Sequence, residues 1–232
     1  MEVVLEGLQQ AFWLILRRDP AVVEITLRTL QVSGTATLIS LLLGVPLGTA
    51  LALGRFPGRR LVVSLVNTGM GLPPVVVGLF VALMLWRSGP LGRLGLIYTP
   101  LAMVIAQAVI AAPIVAGVSL AAIQQLDPRL HLQLLGLGAS RGQLVLVLWW
   151  EARRSLMAAA MAGFGGAISE VGASMMVGGN IVGQTRVLTT ATVLETSKGN
   201  FDLAMALGLI LLLLAYLVTL AMTWLQQSGR TG

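Results

Sequence analysis

The chain contains no cysteine, so disulfides, thiolate nucleophiles and iron–sulfur ligation are excluded at the outset. Histidine occurs once, at His131, with no second histidine or cysteine nearby in sequence, and that gives no basis for a metal site. Charge is scarce: Asp, Glu, Lys and Arg make up only 10% of 232 residues. There is no G-x-x-x-x-G-K-[ST] loop to cradle nucleotide phosphates, no H-E-x-x-H, no Ser/His/Asp set and no paired membrane aspartates. Neither an enzyme nor a chain-held cofactor is therefore expected. The amino terminus opens on Glu2 and Glu6 rather than on a basic region, and no small-residue cleavage site follows, so it does not read as a secretory signal.

What the chain has is apolar residue, 56% of the whole, with a mean hydropathy of +0.90. Such a surface cannot be hidden in water, and the expected class is an all-α, multi-pass integral membrane protein in contact with lipid. The net charge of +6 would suggest nucleic acid in a soluble protein. Basic and aromatic residues are not interleaved here, so the arginines are read as setting topology and no nucleic-acid partner is expected.

Crossing about 30 Å of hydrocarbon takes roughly 20 helical residues. Five segments qualify, at about 25–53, 61–86, 96–123, 155–177 and 203–225. The loop 54–60 carries Arg55, Arg59 and Arg60 and is placed in the cytoplasm. That puts 124–154 and the tail 228–232 inside, and 86–95 and 178–202 outside. Residues 1–23 are read as an interfacial segment anchored by Trp13. Were its first 16 residues to cross as well, there would be six spans and an inside terminus.

Three features of the spans invite a functional reading. Ser33, Thr37, Ser40, Gly44 and Gly48 share one face of the first span, which suits either close helix packing or a weakly polar path. In the second, Gly69-Met70-Gly71-Leu72-Pro73-Pro74 must break a helix, giving a packing kink or a gate. In the fourth, Gly165, Ser169 and Gly172 share a face. Glu170, about 15 residues into a continuous helix, must face the bundle interior, bonded to a Ser, Thr or Arg of a neighbouring helix. The leucine-rich fifth span reads as lipid-facing, and Thr185 to Thr196 of the outer loop reads as helical.

The cytoplasmic stretch 124–151 has helix signals of its own. Asp127-Pro128 is a helix start, Leu130, Leu134, Leu135 and Leu137 recur at roughly helical spacing, and Gly136, Gly138 and Gly142 end the helix or admit a close neighbour. Arg129 and Arg141 flank it. A short amphipathic helix held between two spans is a docking element, and a chain without an energy-converting motif suggests a transport subunit driven by a separate ATPase.

At this stretch the chain resembles the membrane (permease) subunits of type I ABC importers, whose loop reads Glu-Ala-Ala, three residues, Gly, nine residues, Ile-x-Leu-Pro. The glycine falls on Gly138, within Leu137-Gly138-Ala139-Ser140-Arg141. The flanking positions, Leu132-Gln133-Leu134 and Leu148-Trp149-Trp150-Glu151, depart from that pattern. Leu72-Pro73-Pro74-Val75-Val76-Val77-Gly78 and Ile168-Ser169-Glu170-Val171-Gly172-Ala173 resemble the oxyanion branch of that family, and the run from Gly163 to Ala204 is most similar to its tungstate-type permeases. The resemblance implies the type I importer fold in a bacterial or archaeal inner membrane. It also implies a homodimer with the path at its axis, ATPase subunits that bind ATP and Mg, and a periplasmic or lipid-anchored oxyanion-binding protein. The coupling residues would be Asp127, Arg129, Leu134, Leu135, Leu137, Gly138, Ala139, Ser140 and Arg141. The path or gate would draw on Ser33, Thr37, Pro73, Pro74, Gly165, Ser169, Glu170 and Gly172. A molybdate or sulfate permease of the same family stays open as an alternative, as does an autonomous secondary transporter with Glu170 coupling protons.

Overall fold

The structure, a computed structural model, describes residues 2–227, with side chains from Leu5 onward; the tail placed in the cytoplasm by charge lies outside them. Eleven α-helices and one short 3-10 turn, with no strand, are found among the described residues. Three helices are long and apolar enough to cross a membrane: α2 (Pro20–Leu53), α5 (Pro100–Gln124) and α11 (Phe201–Gln227). Two further spans are bent pairs, α3 (Arg59–Met70) with α4 (Pro74–Leu85), and α8 (Arg153–Ile168) with α9 (Gly172–Gly178). Five crossings result if each pair counts as one.

The caps explain where the helices start. The Asp19 carboxylate accepts from the Ala21 and Val22 amides at 3.0 and 3.1 Å, and Pro20 occupies the first turn, so α2 begins five residues ahead of the sequence expectation. Thr99 caps α5 in the same way, accepting from Ala102 N.

Small residues set the packing. Ser40 of α2 donates to the Ala108 carbonyl of α5, and a methyl at Gly48 would sit 2.5 Å from the Ala116 carbonyl oxygen. That is the close packing offered by small-residue faces in lipid. α3 meets α5 where Gly69 faces the Pro113 ring. A core of Val32, Ala36, Val81, Met103, Ala106 and Val177 binds these elements together.

α1 (Glu2–Leu16) is too short to span and packs against the first half of α11, with Gly7 against Met205 and Ala11 clustered with Leu207 and Ile210. The reading of α11 as lipid-facing therefore needs correction. Ala204, Ala206, Leu207 and Ile210 are buried, while Leu212, Tyr216, Leu220 and Trp224 are bare. The difference arises because α1 and α10 (Leu188–Ser197) cover one half only.

Candidate functional site

The two helix breaks converge. Gly71-Leu72-Pro73 turns α4 by 102° from α3, since the prolines remove backbone donors and glycine loosens the turn before them. Ser169-Glu170-Val171 turns α9 by 59° from α8. α4 then lies on α9 so closely that a methyl at Gly78 would stand 2.5 Å from the Ala173 Cα, and one at Gly172 would stand 2.8 Å from Val75 Cγ2. Pro73, Pro74, Val75 and Val76 are exposed beside this seam, as are Gly165 and Ser169 on the end of α8. The bare surface is thus small and apolar, with few groups that could hold an ion tightly.

Glu170 departs from the sequence expectation. It sits in a break rather than within a continuous helix, and its carboxylate serves the next helix: Oε1 accepts from the Ala173 amide at 2.6 Å. Its neighbour-helix partner is on the backbone instead, where the Thr189 hydroxyl of α10 donates to the Glu170 carbonyl at 3.1 Å. The residue is 5% exposed. A broken helix leaves amides and carbonyls unpaired at membrane depth, and these two bonds satisfy one of each. The Ser169 hydroxyl turns back to the Gly165 carbonyl at 2.8 Å.

Ser33 and Thr37 are 2% and 3% exposed, and Thr37 donates to the Ser33 carbonyl. They are closed within the chain rather than on a surface of it.

At the opposite end, the stretch expected from sequence to be a docking element forms two helices rather than one. α6 (Pro128–Gly136) starts at Asp127, whose carboxylate accepts from Arg129 N at 2.8 Å. It stops in a Schellman motif: Ala139 N donates to Leu134 O and Gly138 N to Leu135 O, both at 3.0 Å, with Gly138 at φ +76°. A methyl at Gly138 meets nothing, so its glycine is demanded by the left-handed backbone rather than by a neighbour within the chain. Ser140 and Gln143 then form a capping box that starts α7 (Arg141–Glu151).

The leucines divide between two faces. Leu130 and Leu134 turn inward onto Ile123, Leu144 and Leu148, which fixes α6 to the ends of α5 and α7. Leu132, Leu135 and Leu137 are 68%, 50% and 84% exposed, and Arg129 and Arg141 are exposed beside them. A cleft of about 740 Å³ opens beside this helix, lined by Leu53, Arg55, Arg59, Asp127 and His131 and by the exposed Leu132 and Leu135 among others. The Trp149 indole donates to the Thr49 hydroxyl at 2.9 Å, tying α7 to α2.

Residues 44–230 match the family described as the binding-protein-dependent transport system inner membrane component. The chain belongs to that family. A probable anion ABC transporter permease protein of Haloferax volcanii is 44% identical over 197 residues, covering 83% of this chain and 85% of the relative. The tungstate uptake system permease protein TupB of Peptoclostridium acidaminophilum is 37% identical, covering 98% of this chain and all of that one; TupB of Campylobacter jejuni is 34% identical over 93% and 90%. In fold, the chain is similar to a subunit of the MetNI methionine ABC transporter in an inward-facing conformation, with a TM-score of 0.71 at 22% identity over 94% of this chain and 96% of that one. This inner-membrane family member thus has the type I importer permease fold.

Several residues of the permease matter more in the fold than their sequence context indicates. Gly78 stands out in sequence only through the resemblance of its segment, although a lone glycine inside an apolar helix signals close approach. Thr189 and Thr190 carry no local motif, yet each has an internal task. Thr189 holds the Glu170 carbonyl, while Thr190 exchanges bonds with Asn180 and with the Val187 backbone. Thr29 of α2 accepts from Leu188 N and so starts α10, across 159 residues that no local pattern could bridge.

Proposed function

We propose that two copies of this chain form the path of an ATP-driven importer for a tetrahedral oxyanion, tungstate, and that α6 receives the motion of a separate ATPase. The observation that carries this is the set of bare leucines at α6, Leu132 and Leu135 on the helix and Leu137 at its C-terminal cap, while Leu130 and Leu134 anchor the helix to the ends of the spans. An exposed apolar set rimmed by Arg129 and Arg141 suits a hydrophobic groove on a partner better than it suits water. Tungstate as cargo is supported by the two TupB relatives, and the bare seam is suited to passage because tight binding would slow release. ATP and Mg belong to the partner; no residue of this chain is assigned to them.

The coupling route runs through rigid pieces. A push on α6 reaches α7 through Leu130 and Leu134, and α7 continues into α8 with only Ala152 between them. α8 ends at the Glu170 break, where α9 and α4 meet. Rocking of α8 therefore moves the seam that borders the path, alternating its access between the two sides.

Gly138→Asp tests the docking role. Aspartate tolerates the left-handed backbone better than most residues, so the fold and membrane insertion remain, while a charge is placed at the knob. Uptake and binding-protein-stimulated ATP hydrolysis should both disappear from the reconstituted assembly. Hydrolysis stimulated as in the wild type would overturn the assignment. Substrate transport by the purified chain in liposomes without any ATPase would overturn the importer function itself.

A further inference from the structure

We infer that Arg186 is a receiving site for the oxyanion, at the end of the molecule opposite α6; this rests on the function proposed above. Arg186 follows an exposed turn at 181–184, its amide donating to the Ile181 carbonyl at 3.0 Å. The guanidinium is partly buried and poorly used. Its Nε is buried with no hydrogen-bond partner, and one terminal nitrogen donates to the Asn180 carbonyl at a long 3.4 Å. Glu195, close enough to feel its charge, has both oxygens engaged, one by Lys198 at 2.8 Å and the other by Asn200 at 2.7 Å. By contrast, Arg28 is paired with Glu24, Arg59 bonds the Leu51 carbonyl, and Arg153 stacks over Trp150.

An arginine head whose terminal nitrogens make one long hydrogen bond keeps donor capacity for an incoming acceptor. The planar fork of a guanidinium matches two oxygens of a tetrahedral dianion, in bonds stronger than those between neutral groups. Position gives the site a consequence. Arg186 lies two residues before Leu188, the start of α10, and the Thr189 hydroxyl of α10 holds the Glu170 carbonyl at the break. An anion drawn to Arg186 therefore acts on a segment already bonded to the seam.

The test uses the complete assembly, this chain with its ATPase and binding protein, in proteoliposomes. Arg186→Gln should lower tungstate uptake about tenfold or more while leaving the binding-protein-independent ATPase unchanged, and Arg186→Lys should restore part of it. Independently, phenylglyoxal modification of Arg186, read by peptide mass spectrometry, should be slowed by sodium tungstate but not by sodium chloride of equal ionic strength. The protection measurement decides alone if the glutamine variant fails to assemble. Wild-type uptake by Arg186→Gln, or equal modification in tungstate and chloride, overturns this site and leaves the importer function standing. A wild-type assembly that imports no oxyanion overturns both.

Discussion

Replacing Gly78 with alanine adds one methyl where α4 crosses α9. That carbon would stand 2.5 Å from the Ala173 Cα, 2.9 Å from its Cβ and 3.3 Å from its nitrogen. Carbon atoms in contact prefer about 3.5–4.0 Å, so the two segments must part by about 1 Å. The obstacle is backbone, which cannot swing aside as a long side chain can. Overpacking of this kind costs about 1–3 kcal/mol, a factor of roughly 5 to 150 in the folding equilibrium. Each segment ends at a break, so the strain should be taken up there, as a changed angle at Pro73 or Glu170. Gly34→Ala is the matched control, because a methyl at Gly34 in the interior of α2 meets nothing. There the better helix propensity of alanine should stabilise by up to about 1 kcal/mol. Unfolding midpoints in detergent and tungstate uptake in proteoliposomes would be compared for the two variants. Ala173→Gly combined with Gly78→Ala should recover part of the loss, since it removes the Cβ contact but not the Cα one. If Gly78→Ala matched the wild type in both assays, or Gly34→Ala were the more damaging exchange, the proposed seam would be wrong.

Two further expectations follow from hydrogen bonds. Glu170→Ala removes the acceptor for the Ala173 amide and should cost about 0.5–2 kcal/mol, whereas Glu170→Gln keeps an acceptor and should retain most stability and uptake. A coupled proton would give the opposite pattern: Glu170→Gln would be stable and yet abolish transport. For Glu195, the hydrogen bonds from Lys198 and Asn200 hold its carboxyl below the usual 4.5 against the opposing effect of burial. A carboxyl lowered in the fold stabilises it fully above its unfolded value and loses that contribution as pH falls through the folded one. The stability advantage of the wild type over Glu195→Gln should therefore hold at pH 6–7 and fade below about 4.5. A difference independent of pH would show that the corner between α10 and α11 does not depend on this charge.

The class, the five candidate crossings, the proline break and the helix start at Asp127 were legible in local sequence, whereas the packing of α1 on α11 was not. Each legible feature rests on a signal within one turn or one span: about 20 apolar residues, adjacent prolines, an Asp-Pro cap. Glu170 was legible as a residue that must avoid lipid, but not as the cap of a second helix, because its partner exists only once the chain turns at Ser169. Sequence spacing grouped Leu134 with Leu135 and Leu137, yet the helix face that anchors α6 is chosen by where α5 and α7 end. Likewise the small-residue face of α2 could pack or line a path. Only the approach of α5 to Gly44 and Gly48 decided which surface it meets. The convergence of the two breaks, at Gly78 and Ala173, joins residues 95 positions apart. Periodicity tells which side of a helix wants cover, while the identity of the cover depends on contacts that no stretch of chain contains by itself.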